Sequence, residues 1–403
     1  MRRMSALSAE ARQYLLVTAN YWAFTLTDGA LRMLVVLHFH ELGFTPLQIA
    51  SLFLFYEIFG VITNLVGGYL GARIGLNRTM NIGLAIQVAA LLMLSVPSTG
   101  LSVPWVMGAQ ALSGIAKDLN KMSAKSAIKL LVPGDQQGAL YKWVAILTGS
   151  KNALKGAGFF LGGLLLALLG FTGTVLALSA FLALIWLGSL VLLKRDMGKP
   201  VVKPKFRNLL SKSRAINILS GARLFLFGAR DVWFVVALPV TLFSEFGWDF
   251  SLVGGFLALW LIGYGSVQTI APMLTGSRHG CHAVFLWAIL LALIPVMIAM
   301  GWGLVPHRQE ILIGGLLAFG LVFAINSSLH SYLILRFASA DSVSLDVGFY
   351  YMSNAFGRLL GTLLSGWVFQ FHGLVACLWI SSALVLLAAL ASLNLPRQHP
   401  VCS

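Results

Sequence analysis

Charge is scarce in this sequence. Asp, Glu, Lys and Arg make up 10% of its 403 residues and 58% are hydrophobic, whereas soluble domains carry about 25% charge. That argues against a soluble enzyme or binding domain. Acids are scarcer than bases, 13 against 28, which leaves a net charge of +15. Such an excess could mean nucleic acid, but the bases are not gathered into any soluble domain, so no nucleic-acid partner is expected. Cysteine is nearly missing. Cys281, Cys377 and Cys402 form no C-x-x-C spacing, which argues against a zinc site or a redox pair. There is no G-x-x-x-x-G-K-[ST] loop and no polar stretch long enough to hold a nucleotide domain, so ATP-driven pumping by this chain alone is not expected. No paired catalytic histidines, nucleophile–base set or metal cluster stands out. No enzyme activity, metal or cofactor is expected.

What the sequence has is apolar runs of helical length, one after another from Tyr14 to Leu395. This pattern predicts an all-α, polytopic membrane protein. The first run is too long, and too polar in its middle, for a cleaved signal peptide, so the N-terminus is expected to be retained. Twelve helices are predicted, at 14–40, 46–72, 79–97, 102–130, 139–169, 172–194, 214–243, 248–275, 282–303, 309–337, 345–371 and 373–395. Their loops are short except the middle one, KRDMGKPVVKPKFRNLLSKSR. Its basic residues and two prolines read as an extended cytoplasmic linker. The predicted organisation is a six-helix bundle over 1–194, a basic linker over 195–213 and a second six-helix bundle over 214–403. Arg2, Arg3, Arg12, Arg73, Arg78, Arg278 and Arg397 fall on the linker's side, while the opposite loops hold Arg308 among Glu41, Glu245, Asp249 and Glu310. Both termini are therefore expected inside.

The halves repeat. Glu41-Leu42-Gly43-Phe44 has a counterpart in Glu245-Phe246-Gly247-Trp248, and Arg73-Ile74-Gly75 in Arg278-His279-Gly280. Lys155-x-x-Gly158-x-x-x-x-Gly163 recurs as Arg358-x-x-Gly361-x-x-x-x-Gly366. The interval is nearly constant at about 204 residues, as two parallel bundles require. This plan resembles the major facilitator superfamily, whose loop after the second helix usually reads G-x-L-a-D-R-x-G-R-[RK]. Here it reads Gly68-Tyr69-Leu70-Gly71-Ala72-Arg73-Ile74-Gly75-Leu76-Asn77-Arg78. Gly68, Gly75, Arg73 and Arg78 fit a gating loop, but Ala72 replaces the acid that normally forms a gate ion pair. The glycines also suit plain close approach of the second and eleventh helices.

Ionisable residues fall well inside the predicted spans, where each is expensive and usually has a purpose. The clearest pattern is Lys117, Lys121, Lys125 and Lys129 in GIAKDLNKMSAKSAIKLL. A spacing of four stacks them on one helix face, where like charges repel. Lys117 and Lys121 lie deep. Lys125 fits either depth, and Lys129 fits an interface anchor that snorkels to head groups. The next helix repeats the spacing with Lys151 and Lys155, and Lys142 suits the interface. Arg32, Arg223, Arg230 and Arg358 complete the interior cations, against Asp28, Glu57, Asp118 and Asp231. Asp28 with Arg32 could instead be only a structural pair, each neutralising the other. Arg230 and Asp231 are adjacent, so their side chains point about 100° apart and should pair less readily. His330 is either a hydrogen-bonded interior residue or a proton carrier.

Acids balance fewer than half of these cations, so the surplus needs an anionic partner. A multivalent anion bound by Arg32, Lys117, Lys121, Lys151, Lys155, Arg223, Arg230 and Arg358 is the economical answer, because arginine forks suit phosphate and lysine acts as a point charge. Asp28, Glu57, Asp118, Asp231 and His330 would then serve proton coupling or charge balance. Asn20, Asn64, Asn120, Asn152, Asn326 and Asn354 could bind ligand hydroxyls or simply join helices. Tyr21, Trp22, Trp233 and Tyr264 could line a cavity.

The segments NYWAFTLTDGALRMLVVLHFH, LFYEIFGVITNLVGG, ALSGIAKDLNKMSAKSAIKLLVP and YKWVAILTGSKNALKGAGFFLGG resemble the organoarsenical efflux permeases of bacterial arsenic-resistance clusters. The likeness is densest in the first half. It implies a bacterial inner-membrane exporter of 1-arseno-3-phosphoglycerate and a companion glyceraldehyde-3-phosphate dehydrogenase that makes this ester. A lipid bilayer and a monomeric carrier are the other expectations. The scarcity of cysteine agrees, because trivalent arsenic binds thiolates whereas pentavalent oxyanions need Lys and Arg. The residues by themselves reach only a phosphorylated small anion. A proton-coupled or exchange transporter of another phosphate ester stays open, and so does an anion sensor, although no output domain is evident.

Overall fold

The computed structural model of the chain describes residues 9–44, 51–96, 101–131, 137–193, 213–248, 250–275, 280–304, 306–339 and 343–395. Among them the regular elements are helices: α1 (Ala9–Glu41), α2 (Leu54–Ile74), α3 (Leu76–Leu94), α4 (Val103–Leu131), α5 (Gln137–Leu192), α6 (Arg214–Phe234), α7 (Ala237–Ser244), α8 (Phe250–Thr275), α9 (Cys281–Leu304), α10 (Arg308–Phe337) and α11 (Val343–Leu393). Hydrocarbon offers no partner for backbone amides, so an apolar chain of this kind satisfies them within helices. Seven of the described helical stretches are long and apolar enough to cross a membrane. Helices α1, α3 and α4 are of similar length but carry more polar side chains. Large apolar side chains such as Leu184, Met273 and Leu304 stand on the outside, as a lipid-facing surface requires.

Helices α5 and α11 have 56 and 51 residues, more than twice the ~20 that span a bilayer. Each is interrupted once, at Gly170 (φ 65°, ψ −178°) and at Gly373 (φ 73°, ψ −175°). These dihedrals are open to glycine and strained for other residues. The interruptions fall where the sequence puts helix boundaries, and the split helices are in keeping with the twelve expected. The seventh predicted helix is not one run, however. It stops at Phe234 and resumes at Ala237, with Val236 at φ −121° and ψ −53°. The N–H groups of Val236 and Ala237 donate instead to Ser365 Oγ, at 3.3 and 3.2 Å. A serine from α11 thus supplies the acceptor that the broken helix lacks.

The chain divides into two compact units. The first comprises Met1–Trp143, Ser150–Ser211 and Ala338–Met352, and the second comprises Val144–Gly149, Lys212–Phe337 and Ser353–Ser403. Of the expected linker, only Ser213 lies among the described residues, where its hydroxyl caps α6 by accepting from Ile216 N–H. The side chains of Lys129, Cys281 and Cys402 also fall outside them.

In the first unit, α4 packs on α2 and α3, and α5 crosses α1 closely. A Cβ on Gly158 would stand 2.5 Å from Leu26 O, and one on Gly29 would stand 2.6 Å from Lys155 O. Small residues let these backbones meet. The second unit is built on aromatics. Trp233 packs edge-on against Phe319 with centroids 5.0 Å apart, and Trp260 stacks on Tyr264 at 5.7 Å while donating to Leu316 O at 2.9 Å. Trp233 and Tyr264, which could line a cavity on sequence grounds, are packed in the hydrophobic core of this unit.

Candidate functional site

Each unit buries its own group of charges. In the first, Asp28 of α1 accepts from the Tyr56 hydroxyl of α2, at 2.8 Å to Oδ1 and 3.1 Å to Oδ2. Lys155 Nζ of α5 lies 3.8 Å from Asp28 Oδ2. Arg32, one turn on from Asp28, reaches Glu57 at 3.3 Å. The expected Asp28–Arg32 pairing is thereby corrected: each finds a partner on another helix, because interhelical geometry brings Tyr56 and Glu57 onto α1.

On α4, Asp118 is almost fully buried between two lysines. Lys121 Nζ donates to its Oδ1 at 2.5 Å, and Lys117 Nζ stands 3.6 Å from Oδ2. Gly60 of α2 makes room for this group, since a Cβ there would meet Asp118 Oδ2 at 3.0 Å. The lysines also lie over aromatic rings: Lys117 is 3.9 Å from the Tyr56 centroid, Lys121 is 4.7 Å and Lys125 5.2 Å from that of Tyr351. Lys125, open to either depth on sequence grounds, is buried. Lys151 sits half-buried one turn before Lys155 on α5. Acids and cations of this unit thus come from α1, α2, α4 and α5, with a tyrosine of α11.

In the second unit, Asp231 of α6 is gripped by two arginines. Arg230 Nε donates to Oδ1 at 2.6 Å, and Arg358 Nε of α11 donates to Oδ2 at 3.1 Å. Adjacent residues do pair here, contrary to the expectation, because the long arginine side chain folds back over the 100° between them. Arg230 is also surrounded by ring faces, with Phe227, Phe323 and Phe234 at 5.0, 5.6 and 5.7 Å. Arg223 donates to Asn354 Oδ1 at 3.1 Å, to Ser327 O at 3.1 Å and to Ser327 Oγ at 3.0 Å, and it lies 4.0 Å from the Phe227 ring. His330 is buried one turn beyond Ser327, and its Nδ1 has no hydrogen-bond partner among the described residues.

All eight predicted anion ligands therefore stand in or beside one of these two groups. Asp28, Glu57, Asp118 and Asp231 each take part in an ion pair. Asn354 meets a cation, whereas Asn20 joins helices by donating to Ser189 Oγ, and Asn64 and Asn120 donate to backbone carbonyls one turn earlier. Trp22 bonds Ser150 Oγ, and Tyr21 is buried on α1. Sequence reasoning missed the rings of Tyr56, Tyr351, Phe227 and Phe323. A signal was present for Phe227, which lies one turn after Arg223 and one turn before Arg230 on the same helix.

Near the α2–α3 junction, which the sequence suggests as a gate, Gly68 lets the backbone of α11 approach: a Cβ there would stand 2.6 Å from Ser344 O and 3.0 Å from Gly348 Cα. Ser344 Oγ donates to Gly68 O at 2.6 Å, and Ala72 packs on Leu345. An apolar contact thus occupies the place of the missing acid. Arg73 donates to the Tyr69 hydroxyl at 2.7 Å, Gly75 ends α2, and Arg78 is exposed on α3. Among the described residues, no cluster of three His, Cys, Asp or Glu could hold a metal.

Comparison with known proteins gives one family. The profile described as Major Facilitator Superfamily matches residues 14–235 and 222–401. No curated protein matches the chain. Among solved structures, the human organic anion transporter MFSD10 is similar at 18% identity and a TM-score of 0.77, over 96% of this chain and 100% of that one. A bacterial homologue of the iron transporter ferroportin, in an outward-facing state, gives 14% and 0.77 over 96% and 99%. The E. coli fucose:proton symporter gives 12% and 0.75 over 96% and 100%. At these identities the likeness is one of fold.

Proposed function

This chain belongs to the major facilitator superfamily of membrane transporters, and we propose that its cargo is a small multivalent organic anion. The observation that carries this reading is the first unit's cation group. Arg32, Lys117, Lys121 and Lys155 are gathered within one helix bundle, beside fewer acids than cations. Interior charges of that kind mark substrate pathways. An anion bearing phosphate-like oxygens would compete with Asp28 for Lys155 and with Asp118 for the ladder lysines. The second unit's Arg223, Arg230 and Arg358 form another candidate set, in which the planar fork suits oxyanions.

Within this class we infer export of 1-arseno-3-phosphoglycerate by alternating access. The support is the resemblance of helices α1, α2, α4 and the start of α5 to organoarsenical efflux permeases. A glyceraldehyde-3-phosphate dehydrogenase would make the ester, and the basic loops favour cytoplasmic termini in a bacterial inner membrane. Among the described residues the one free cysteine is Cys377, which is buried, so the site offers oxyanion chemistry rather than thiolate ligation.

The test is uptake of the ester into everted vesicles, with and without a proton gradient, and with 3-phosphoglycerate and inorganic phosphate as competitors. Lys121→Ala and Lys155→Ala are each expected to abolish uptake while protein stays in the membrane. Wild-type uptake in both variants would sink the anion reading. Preference for 3-phosphoglycerate over the arsenate ester would keep the class and replace the cargo.

A further inference from the structure

We propose that Tyr56 and Tyr351 are positioning residues, whose ring faces hold the α4 lysine ladder in place without neutralising it. The inference rests on reading that ladder as the anion site. Lys117, Lys121 and Lys125 lie four residues apart on one helix face, an arrangement that repels itself. Asp118 contacts the first two. A further acid beside each lysine would steady the ladder, but it would also compete with an anionic substrate for the same ammonium groups. A ring face does not compete in that way. Its quadrupole attracts the cation without taking up an N–H donor or cancelling the unit charge.

The geometry has this form three times. Tyr56 lies between Lys117 at 3.9 Å and Arg32 at 4.7 Å. Tyr351 lies between Lys121 at 4.7 Å and Lys125 at 5.2 Å. In the second unit Phe227 takes Arg223 at 4.0 Å and Arg230 at 5.0 Å. Each ring serves two like charges at once, and Phe227 shows that a hydroxyl is not required. Tyr56 is fixed on two sides: its hydroxyl donates to Asp28 at 2.8 Å, and its backbone lies against Gly114, where a Cβ would stand 2.5 Å from Tyr56 O. Tyr351 is buried and packs edge-on against Tyr350, with centroids 4.9 Å apart. Rings fixed in this way set where the lysines point.

The test compares phenylalanine, which keeps the face, with leucine, which removes it. Two readouts are needed for each full-length variant, the first on purified protein and the second on membranes that contain it. One is the acetylation rate of Lys117, Lys121 and Lys125 by a water-soluble N-hydroxysuccinimide ester, read by peptide mass spectrometry. The other is KM and maximal rate of 3-phosphoglycerate uptake in everted vesicles. Tyr351→Leu should speed acetylation of Lys121 and Lys125 about fivefold and raise KM by about as much, with the maximal rate kept, since a partly desolvated cation–π contact is lost. Tyr351→Phe should stay within about twofold on both measures, because the face remains. Tyr56→Leu should act likewise on Lys117, and Tyr56→Phe should fall between, since it keeps the face but loses the bond to Asp28. Leucine variants that behave as wild type, or phenylalanine variants as damaged as leucine ones, overturn the proposal. If a leucine variant fails to accumulate, Tyr351→Trp replaces it; slower or unchanged acetylation supports the brace, and faster acetylation refutes it. Should the wild type transport no phosphate ester while the acetylation pattern shifts as expected, the anion reading fails and the positioning role stands.

Discussion

Asp28 and Asp231 occupy corresponding places in the two units, separated by the same interval as Lys155 and Arg358. Each acid meets its cation from the partner helix, at 3.8 Å in the first unit and 3.1 Å in the second. The surroundings then diverge. Asp28 is completed by a neutral donor, the Tyr56 hydroxyl, and its lysine is a point charge at long range. Asp231 is completed by a second arginine, so guanidinium groups occupy both of its oxygens. Lysine can be drawn away by another anion with little loss of directional bonding, whereas arginine forks hold both geometry and charge. The repeated frame thus carries one exchangeable pair and one locked pair. Under the proposed anion reading, the first unit would be the better placed to trade its carboxylate for a substrate.

The largest effect should come from breaking the locked pair. Asp231→Asn leaves Arg230 and Arg358 without their shared counter-charge, a loss of about 3–5 kcal/mol for a buried pair. The variant is expected to be depleted from membranes and to melt far below the wild type in detergent. Asp28→Asn keeps an acceptor for Tyr56 and removes one ion pair, that with Lys155, whose side chain retains 18% exposure. It should accumulate nearly normally. Equal depletion of the two would dissolve the contrast.

Helix crossings come next. The motif Lys155-x-x-Gly158 and its repeat Arg358-x-x-Gly361 place a glycine one turn beyond each cation. A Cβ on Gly158 would stand 2.5 Å from Leu26 O, and one on Gly361 would stand 2.7 Å from Gly228 O and 3.0 Å from Asp231 Cβ. Backbone cannot yield as a side chain can, so Gly158→Ala and Gly361→Ala should each destabilise by about 1–3 kcal/mol. Gly361→Ala should also weaken the Arg358–Asp231 pair, visible as a larger fall in melting temperature than Gly158→Ala gives. A smaller effect follows exchange of the cations. Arg358→Lys loses the Nε donor and should reduce uptake by about tenfold through a loss near 1.4 kcal/mol. Lys155→Arg should stay within about threefold, because the second unit shows that the frame admits a guanidinium.

Much of the fold was legible in the sequence, because hydrophobic runs and turn glycines act locally. The boundaries near Gly170 and Gly373 and the internal repeat needed no tertiary information. The interior charges were legible at the level of residue type, since a charge inside an apolar helix stands out wherever it lies. The pairing was not. Arg32 turned from Asp28 to Glu57, and Arg230 folded onto Asp231, choices set by helices distant in sequence. The rings were hidden for another reason: Tyr56 and Tyr351 look like ordinary interior aromatics until a cation on another helix lies over them. The break at Val236 was hidden as well, since its compensating acceptor, Ser365, is remote in the chain.

The least disruptive variants sharpen the comparison between the units at its weakest point, the second glycine of each motif. Pattern treats Gly163 and Gly366 like Gly158 and Gly361, but the surroundings differ. A Cβ on Gly163 would meet only the Leu37 side chain at 3.7 Å, and one on Gly366 would meet nothing within 4 Å. With ordinary contact or open space, alanine adds no strain. It also lowers the entropy of the unfolded chain and favours helix. Gly163→Ala and Gly366→Ala should therefore leave stability unchanged or raise it by about 0.5 kcal/mol, with uptake intact. A melting-temperature series over all four glycines reads this directly. Destabilisation at Gly163 or Gly366 comparable to that at Gly158 would mean that the whole motif, and not its first glycine alone, sets how closely the helices cross.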